Sequence, residues 1–176
     1  MEEIKGDPCP FCLNKTLTLI EDQKDIPFFG KVYLYSMTCS SCAFHKSDVE
    51  SADRRDPCKI TFILNNTKDL NVRVVKGSEA TVTLTQLKMN VRPGPASNGY
   101  VTNIEGVLQR FKKILEERRD LAEDEDDKKK AKALLKKMWK IECGDEPLTI
   151  VIEDPSGNSA IISEKAKTEK LAIKTA

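Results

Sequence analysis

The chain has 176 residues, 29 Lys and Arg against 28 Asp and Glu, and so a formal net charge of +1. That length suits one domain or two small ones, and the charge balance argues against affinity for nucleic acid through global basicity. Hydrophobic residues make up 39%, enough for a modest core, and no apolar run reaches the roughly 18 residues of a membrane span.

The first residues, Met1-Glu2-Glu3-Ile4-Lys5-Gly6, carry no apolar signal region, so the expected compartment is the cytoplasm. There the six cysteines are expected as reduced thiols rather than a disulfide framework. His45 is the one histidine, which excludes any mechanism needing two imidazoles. No catalytic residue is assigned, and a non-enzymatic binding protein is expected.

Cys9-Pro10-Phe11-Cys12 and Cys39-Ser40-Ser41-Cys42 are two C-x2-C knuckles separated by 26 residues. Each presents two sulfurs to one metal ion, and two knuckles complete a tetrahedral site that suits zinc. Leu17–Ile20 and Val32–Tyr35 are the predicted strands of a zinc ribbon. So small a module has little core, and a structural zinc site is worth about 10–16 kcal/mol in apparent binding free energy. The metal should therefore supply much of its folding. Four thiolates leave no open coordination position, which disfavours hydrolytic chemistry. The same four sulfurs also suit an iron–sulfur cluster, and a C-x-x-C pair is a redox motif. Cys58 and Cys143 lack partners at motif spacing and read as small buried hydrophobes. His45 reads as a surface residue of the ribbon.

Ser51 to Pro57 reads as a linker. Beyond it, Ile60, Phe62 and Leu64, then Leu70, Val72 and Val74, then Val82, Leu84, Leu87, Met89 and Val91 recur with a period near two. That pattern predicts antiparallel strands with one buried face. From Thr102 the period turns helical. Ile104, Val107, Leu108, Phe111, Ile114 and Leu115 form one stripe, and Thr102 with Glu105 fits a capping box. The acidic run Glu123–Asp127 predicts a turn into a second helix starting near Lys128. That helix carries Ala131, Leu134, Leu135 and Met138 and ends at Gly144. Strands return at Leu148–Ile152 and, after the turn Asp154–Asn158, at Ala160–Ile162 as the return strand. The segment from Glu164 is expected to fray.

Several stretches resemble one known family. Ile26-Pro27-Phe28-Phe29 followed by the Cys39 knuckle is similar to the finger of the ZPR zinc-finger family. Asp69-Leu70 through Lys76, Asn103–Leu108 and Asp154–Ser159 resemble its β domain, in the same order over about residues 7 to 163. The resemblance implies a mainly β chain with α. Its parts are a zinc ribbon at 1–55, a double-stranded β-helix (jelly-roll-like) domain at 56–163 with a helical hairpin inserted at about 103–143, and a Lys-rich tail at 164–176. It implies a single-module, archaeal-like member, where eukaryotic members carry two modules. It further implies one structural zinc ion on Cys9, Cys12, Cys39 and Cys42. The implied function is that of an adaptor or folding chaperone for the GTPase translation elongation factor one alpha. Pro27, Phe28, Phe29 and Lys76 are the candidate partner-binding residues. Two departures stand out: Ala43 where the family often has Gly, and Leu84-Thr85-Gln86-Leu87 where it often has Ile-Pro-Glu-Leu.

A nucleic-acid-binding zinc ribbon of transcription or translation is the competing expectation, since Lys15, Lys24, Lys31 and Lys46 surround the ribbon and Tyr33 and Tyr35 suit base stacking. Glu21, Asp22, Asp25 and Asp48 offset those lysines. A cupin-like enzyme would need clustered histidines, which this chain lacks.

Overall fold

The computed structural model describes residues 1–26, 30–52 and 55–172. The first four strands are β1 (Glu2–Asp7), β2 (Leu17–Ile26), β3 (Gly30–Cys39) and β4 (His45–Ser51). They form one antiparallel sheet in the order β1-β2-β3-β4. The central pair runs from Leu17 opposite Cys39 to Ile26 opposite Gly30; β2 begins at Leu17 as predicted but continues past Ile20, and β3 is longer than predicted at both ends. β1 and β4 have no counterpart in the sequence reading. Their apolar signal is thin: Ile4 of β1 is 57% exposed, and Val49 is the one buried residue of β4.

The body holds β5 (Cys58–Leu64), β6 (Arg73–Lys76), β7 (Thr81–Leu84), β8 (Met89–Val91), β9 (Tyr100–Asn103), β10 (Leu148–Asp154), β11 (Ala160–Ile162) and β12 (Lys167–Lys170). They make a five-stranded sheet, β12-β5-β10-β7-β8, and a three-stranded sheet, β11-β6-β9. The period of two places Ile60, Phe62 and Leu64 of β5 and Leu148, Ile150 and Ile152 of β10 in the core. Each such side chain contributes about 1.5–3 kcal/mol on burial.

Helices α1 (Ile104–Leu121) and α2 (Glu125–Cys143) separate β9 from β10. Lys112–Glu142 and Arg118–Asp127 pair across them, so they run antiparallel. Ile104, Val107, Leu108, Phe111 and Leu115 join Met138 and Ile141 in the core of the jelly roll. The hairpin is thus part of the body, with only its outer face solvated. Ile114 falls off the stripe and is 44% exposed.

The helix ends differ from expectation. Asn103, not Thr102, caps α1, its side chain accepting from the Gly106 amide at 2.8 Å. The expected capping box is absent because α1 starts at Ile104, which leaves Thr102 one residue before the cap. α2 begins at Glu125 with Asp124 as its cap, so three acidic residues lie inside its first turn, where the helix dipole favours them. Gly144 ends it in the left-handed conformation.

Four strand assignments also change. Residues 67–71 and 85–87 are single 3-10 turns that break what reads as continuous alternation. β11 pairs with β6, not with β10, because the turn after β10 carries the chain from one sheet to the other. Residues 167–170, expected to fray, form β12 against β5.

The ribbon sits on the three-stranded sheet. Ile26, Val32 and Val49 pack with Val75, flanked by Leu34, Val101, Ala160 and Ile162. The outer edge of β4 is closed by two asparagine side chains from the body. Asn98 Oδ1 accepts from the Ser47 amide at 2.9 Å, and Asn158 Oδ1 accepts from the Ser51 amide at 3.0 Å. An edge strand that leaves such amides open invites unwanted pairing; here the body's side chains satisfy them.

Candidate metal centre

Each knuckle lies at the end of a ribbon strand. Cys9 follows β1, and Cys39 is the last residue of β3. Backbone bonds shape both loops: the Cys9 amide donates to Asn14 O, and the Cys39 amide to Phe44 O. To fold back this tightly, the residue after each second cysteine turns left-handed, Leu13 at φ 62° and Ala43 at φ 57°. Positive φ at Ala43 explains a preference for glycine there.

The four sulfurs of Cys9, Cys12, Cys39 and Cys42 lie within 4.8 Å of one another. Cys9 Sγ is 3.7 Å from Cys42 Sγ, and Cys12 Sγ is 3.7 Å from Cys39 Sγ. A tetrahedron with zinc–sulfur bonds of about 2.3 Å has edges of about 3.8 Å, so the donor set fits a zinc ion in size as well as in chemistry. All six cysteines are free thiols. Cys9 and Cys39 are buried with Leu17 beneath them, and Leu19, Met37 and Phe44 close the sides.

The electrostatics are those of a site that wants a cation. Hydrogen bonding by the Thr16 hydroxyl holds the Cys39 thiol down at about 6, against the opposing effect of burial. The Phe44 amide also favours a thiolate at Cys42. Burial and the hydrogen bonds to Cys39, Cys12 and Cys9 outweigh it, and Cys42 is pushed up to about 12. One thiolate forms readily; four so close together require a metal charge among them. Thr16 Oγ1 lies 3.3 Å from Cys39 Sγ and 2.9 Å from Ser41 Oγ, a hydroxyl that bridges the two within the second knuckle. Sequence reasoning missed it, since threonine is no ligand and only the fold brings it to the second knuckle. His45 is outside the cluster, exposed and paired through Nδ1 with Thr38 Oγ1 at 3.1 Å.

The remaining candidates are scattered. Pro27, Phe28 and Phe29 lie outside the described residues. Lys76 is 5% exposed, its Nζ donating to Ser78 O, Ser97 Oγ and Asn98 O. Through these bonds Lys76 holds the loop that carries Asn98. Cys58 is buried as expected, its thiol pushed up to about 11 by burial, whereas Cys143 is exposed rather than buried. No helix among the described residues is long and apolar enough to cross a membrane.

Comparison with known proteins covers nearly the whole chain. Residues 3–57 match the model of the ZPR1 zinc-finger domain, and residues 68–175 that of the ZPR1 jelly-roll domain. A ZPR1-like protein of Pyrococcus horikoshii is 40% identical over 175 residues, covering 97% of this chain and 78% of its own. One from Methanocaldococcus jannaschii is 39% identical over 173 residues, covering 98% and 87%. The zinc finger chaperone zpr1 of Schizosaccharomyces pombe is 32% identical over 146 residues, covering 77% of this chain and 30% of its own.

Proposed function

Because the chain belongs to the ZPR1 family, we propose that Cys9, Cys12, Cys39 and Cys42 hold one structural zinc ion. On this reading the protein is a non-catalytic, zinc-dependent chaperone or adaptor of the cytoplasm. Its client is the GTPase translation elongation factor one alpha. The observation that carries the reading is the four-sulfur cluster with its tetrahedral spacing. Four protein ligands close the coordination sphere, so the ion organises the knuckles rather than activating water. A chaperone role accords with the name of the fission yeast relative. It accords too with the apolar tip beside the sulfurs, where Phe11 and Leu13 are 79% and 77% exposed and Phe11 stacks on Phe44 at 5.5 Å.

The test is direct binding between the immobilised zinc-loaded chain and purified elongation factor. Retention that falls when zinc is chelated, or when Phe11 and Leu13 are replaced by Ser, is the expected result. Failure to retain the factor, with capture of RNA that weakens steeply as salt rises, would instead favour a nucleic-acid-binding ribbon.

A further inference from the structure

The ribbon has a second face whose tyrosines lie outside the core clusters formed by the described residues. Val32 and Leu34 of β3 point into the cluster shared with the body. By the alternation of a strand, Tyr33 and Tyr35 point the opposite way, and neither joins a core cluster. Their rings lie 6.4 Å apart at 27°, stacked and half-buried.

Their neighbours across the sheet share that face. Tyr33 sits between Gln23 and Glu50, and Tyr35 between Glu21 and Asp48. Asp48 is turned aside, its Oδ1 accepting from the Ser78 and Val49 amides. Glu21 and Glu50 are exposed and make no ion pair among the described residues. Both carboxylates act on the Tyr35 hydroxyl, whose pKa is raised by burial and then by Glu21 and Glu50. Lys31, opposite Asp25, marks one end of the face, and Lys46, opposite Met37, marks the other.

We propose that this face, built on Tyr33 and Tyr35 with Glu21 and Glu50 beside them, docks a Lys- or Arg-rich segment of a partner protein. The two rings offer π surface to a guanidinium or ammonium group, and the carboxylates on either side complete the charge. The same carboxylates repel phosphate, so the tyrosines do not serve as a stacking platform for bases. The proposal goes beyond the GTPase reading, because it concerns a different face from the metal-end tip and fails or succeeds without the elongation factor.

The experiment titrates the zinc-loaded full chain into a fluorescein-labelled oligoarginine peptide at low salt and follows anisotropy. Saturable binding is expected, with amide shifts in a two-dimensional NMR spectrum centred on Tyr33, Tyr35 and Glu50. The double change Glu21→Gln with Glu50→Gln should weaken binding about tenfold, as should Tyr33→Leu with Tyr35→Leu, while Tyr33→Phe with Tyr35→Phe should keep it. A control change at the acidic corner between α1 and α2, Glu123→Gln in the connection with Asp126→Asn in the first turn of α2, should leave it unaltered. The glutamate changes lie on exposed positions, so they also report if the leucine pair unfolds the ribbon. The proposal is overturned if the peptide fails to bind, if the glutamate pair binds it as the wild type does, if the shifts centre on residues 123–127, or if a single-stranded oligonucleotide moves the tyrosine amides instead.

Discussion

Asn158 and Ser51 lie far apart in the chain, yet the Asn158 side-chain oxygen accepts from the Ser51 amide at 3.0 Å. With the matching bond from Ser47 to Asn98 at 2.9 Å, it fixes the ribbon's last strand to the body. Replacing Asn158 by Ala leaves a part-buried amide unsatisfied, at a cost of about 1–2 kcal/mol. Hydrogen exchange should accelerate at Ser51 while the core amides of β5 and β10 stay protected. Unchanged exchange at Ser51 would contradict this tether.

The same turn depends on Gly157, at φ 73°. A Cβ there would lie 2.5 Å from Asp56 O and 2.9 Å from Arg55 Cβ, so both conformation and space oppose a side chain. Gly157→Ala should destabilise by about 2 kcal/mol or more, read as a lowered denaturation midpoint. An unaltered midpoint would show that the turn relaxes without strain.

Ala43 predicts the opposite sign. Its φ of 57° is a conformation that costs an ordinary residue about 1–2 kcal/mol, partly offset by the greater freedom a glycine loses on folding. Ala43→Gly should raise the stability of the zinc-loaded protein by up to about 1 kcal/mol in chemical denaturation. A loss of stability would mean that the Ala43 methyl group makes contacts that outweigh the strain.

Asp69 links the stability of the body to pH. Burial alone would raise its carboxyl, but the Asn65 amide and the Lys165 ammonium, at 3.0 and 2.7 Å, bring it below the ordinary value. A depressed folded pKa means stability that is present above the unfolded value of about 3.9 and is lost as pH falls through the folded one. Asp69→Asn should therefore cost about 1–3 kcal/mol at pH 7. Urea unfolding should also vary less steeply with pH below about 4 in the variant. Parallel pH profiles for the two proteins would exclude this linkage.

How much of this was legible in the sequence depended on the kind of signal. The C-x2-C spacing marked four cysteines that the fold does bring together, because local loop geometry fixes where each pair points. The long alternations of β5 and β10 and the helical stripes were visible for the same reason: their buried residues recur at the period of the element. β1, β4 and β12 were not, since they are edge strands held by backbone pairing, with few apolar residues to reveal them. The break at Lys88, which adopts φ 52° after the turn at 85–87, shows tertiary context overriding apparent alternation. The contacts of Asn98, Asn158 and Thr16 were not legible because each acts on a strand or knuckle remote in the chain. Burial of Lys76 likewise depends on Ser78, Ser97 and Asn98 closing around it.

The central claim rests on the thiolate cluster, and metal analysis of the natively purified chain, followed by cobalt substitution, tests it most directly. One zinc per chain is predicted, together with the absorption of a tetrahedral four-thiolate cobalt site and an unfolded ribbon in Cys39→Ser. A chain that folds its ribbon with no metal bound, or with its sulfurs joined as disulfides, would contradict it.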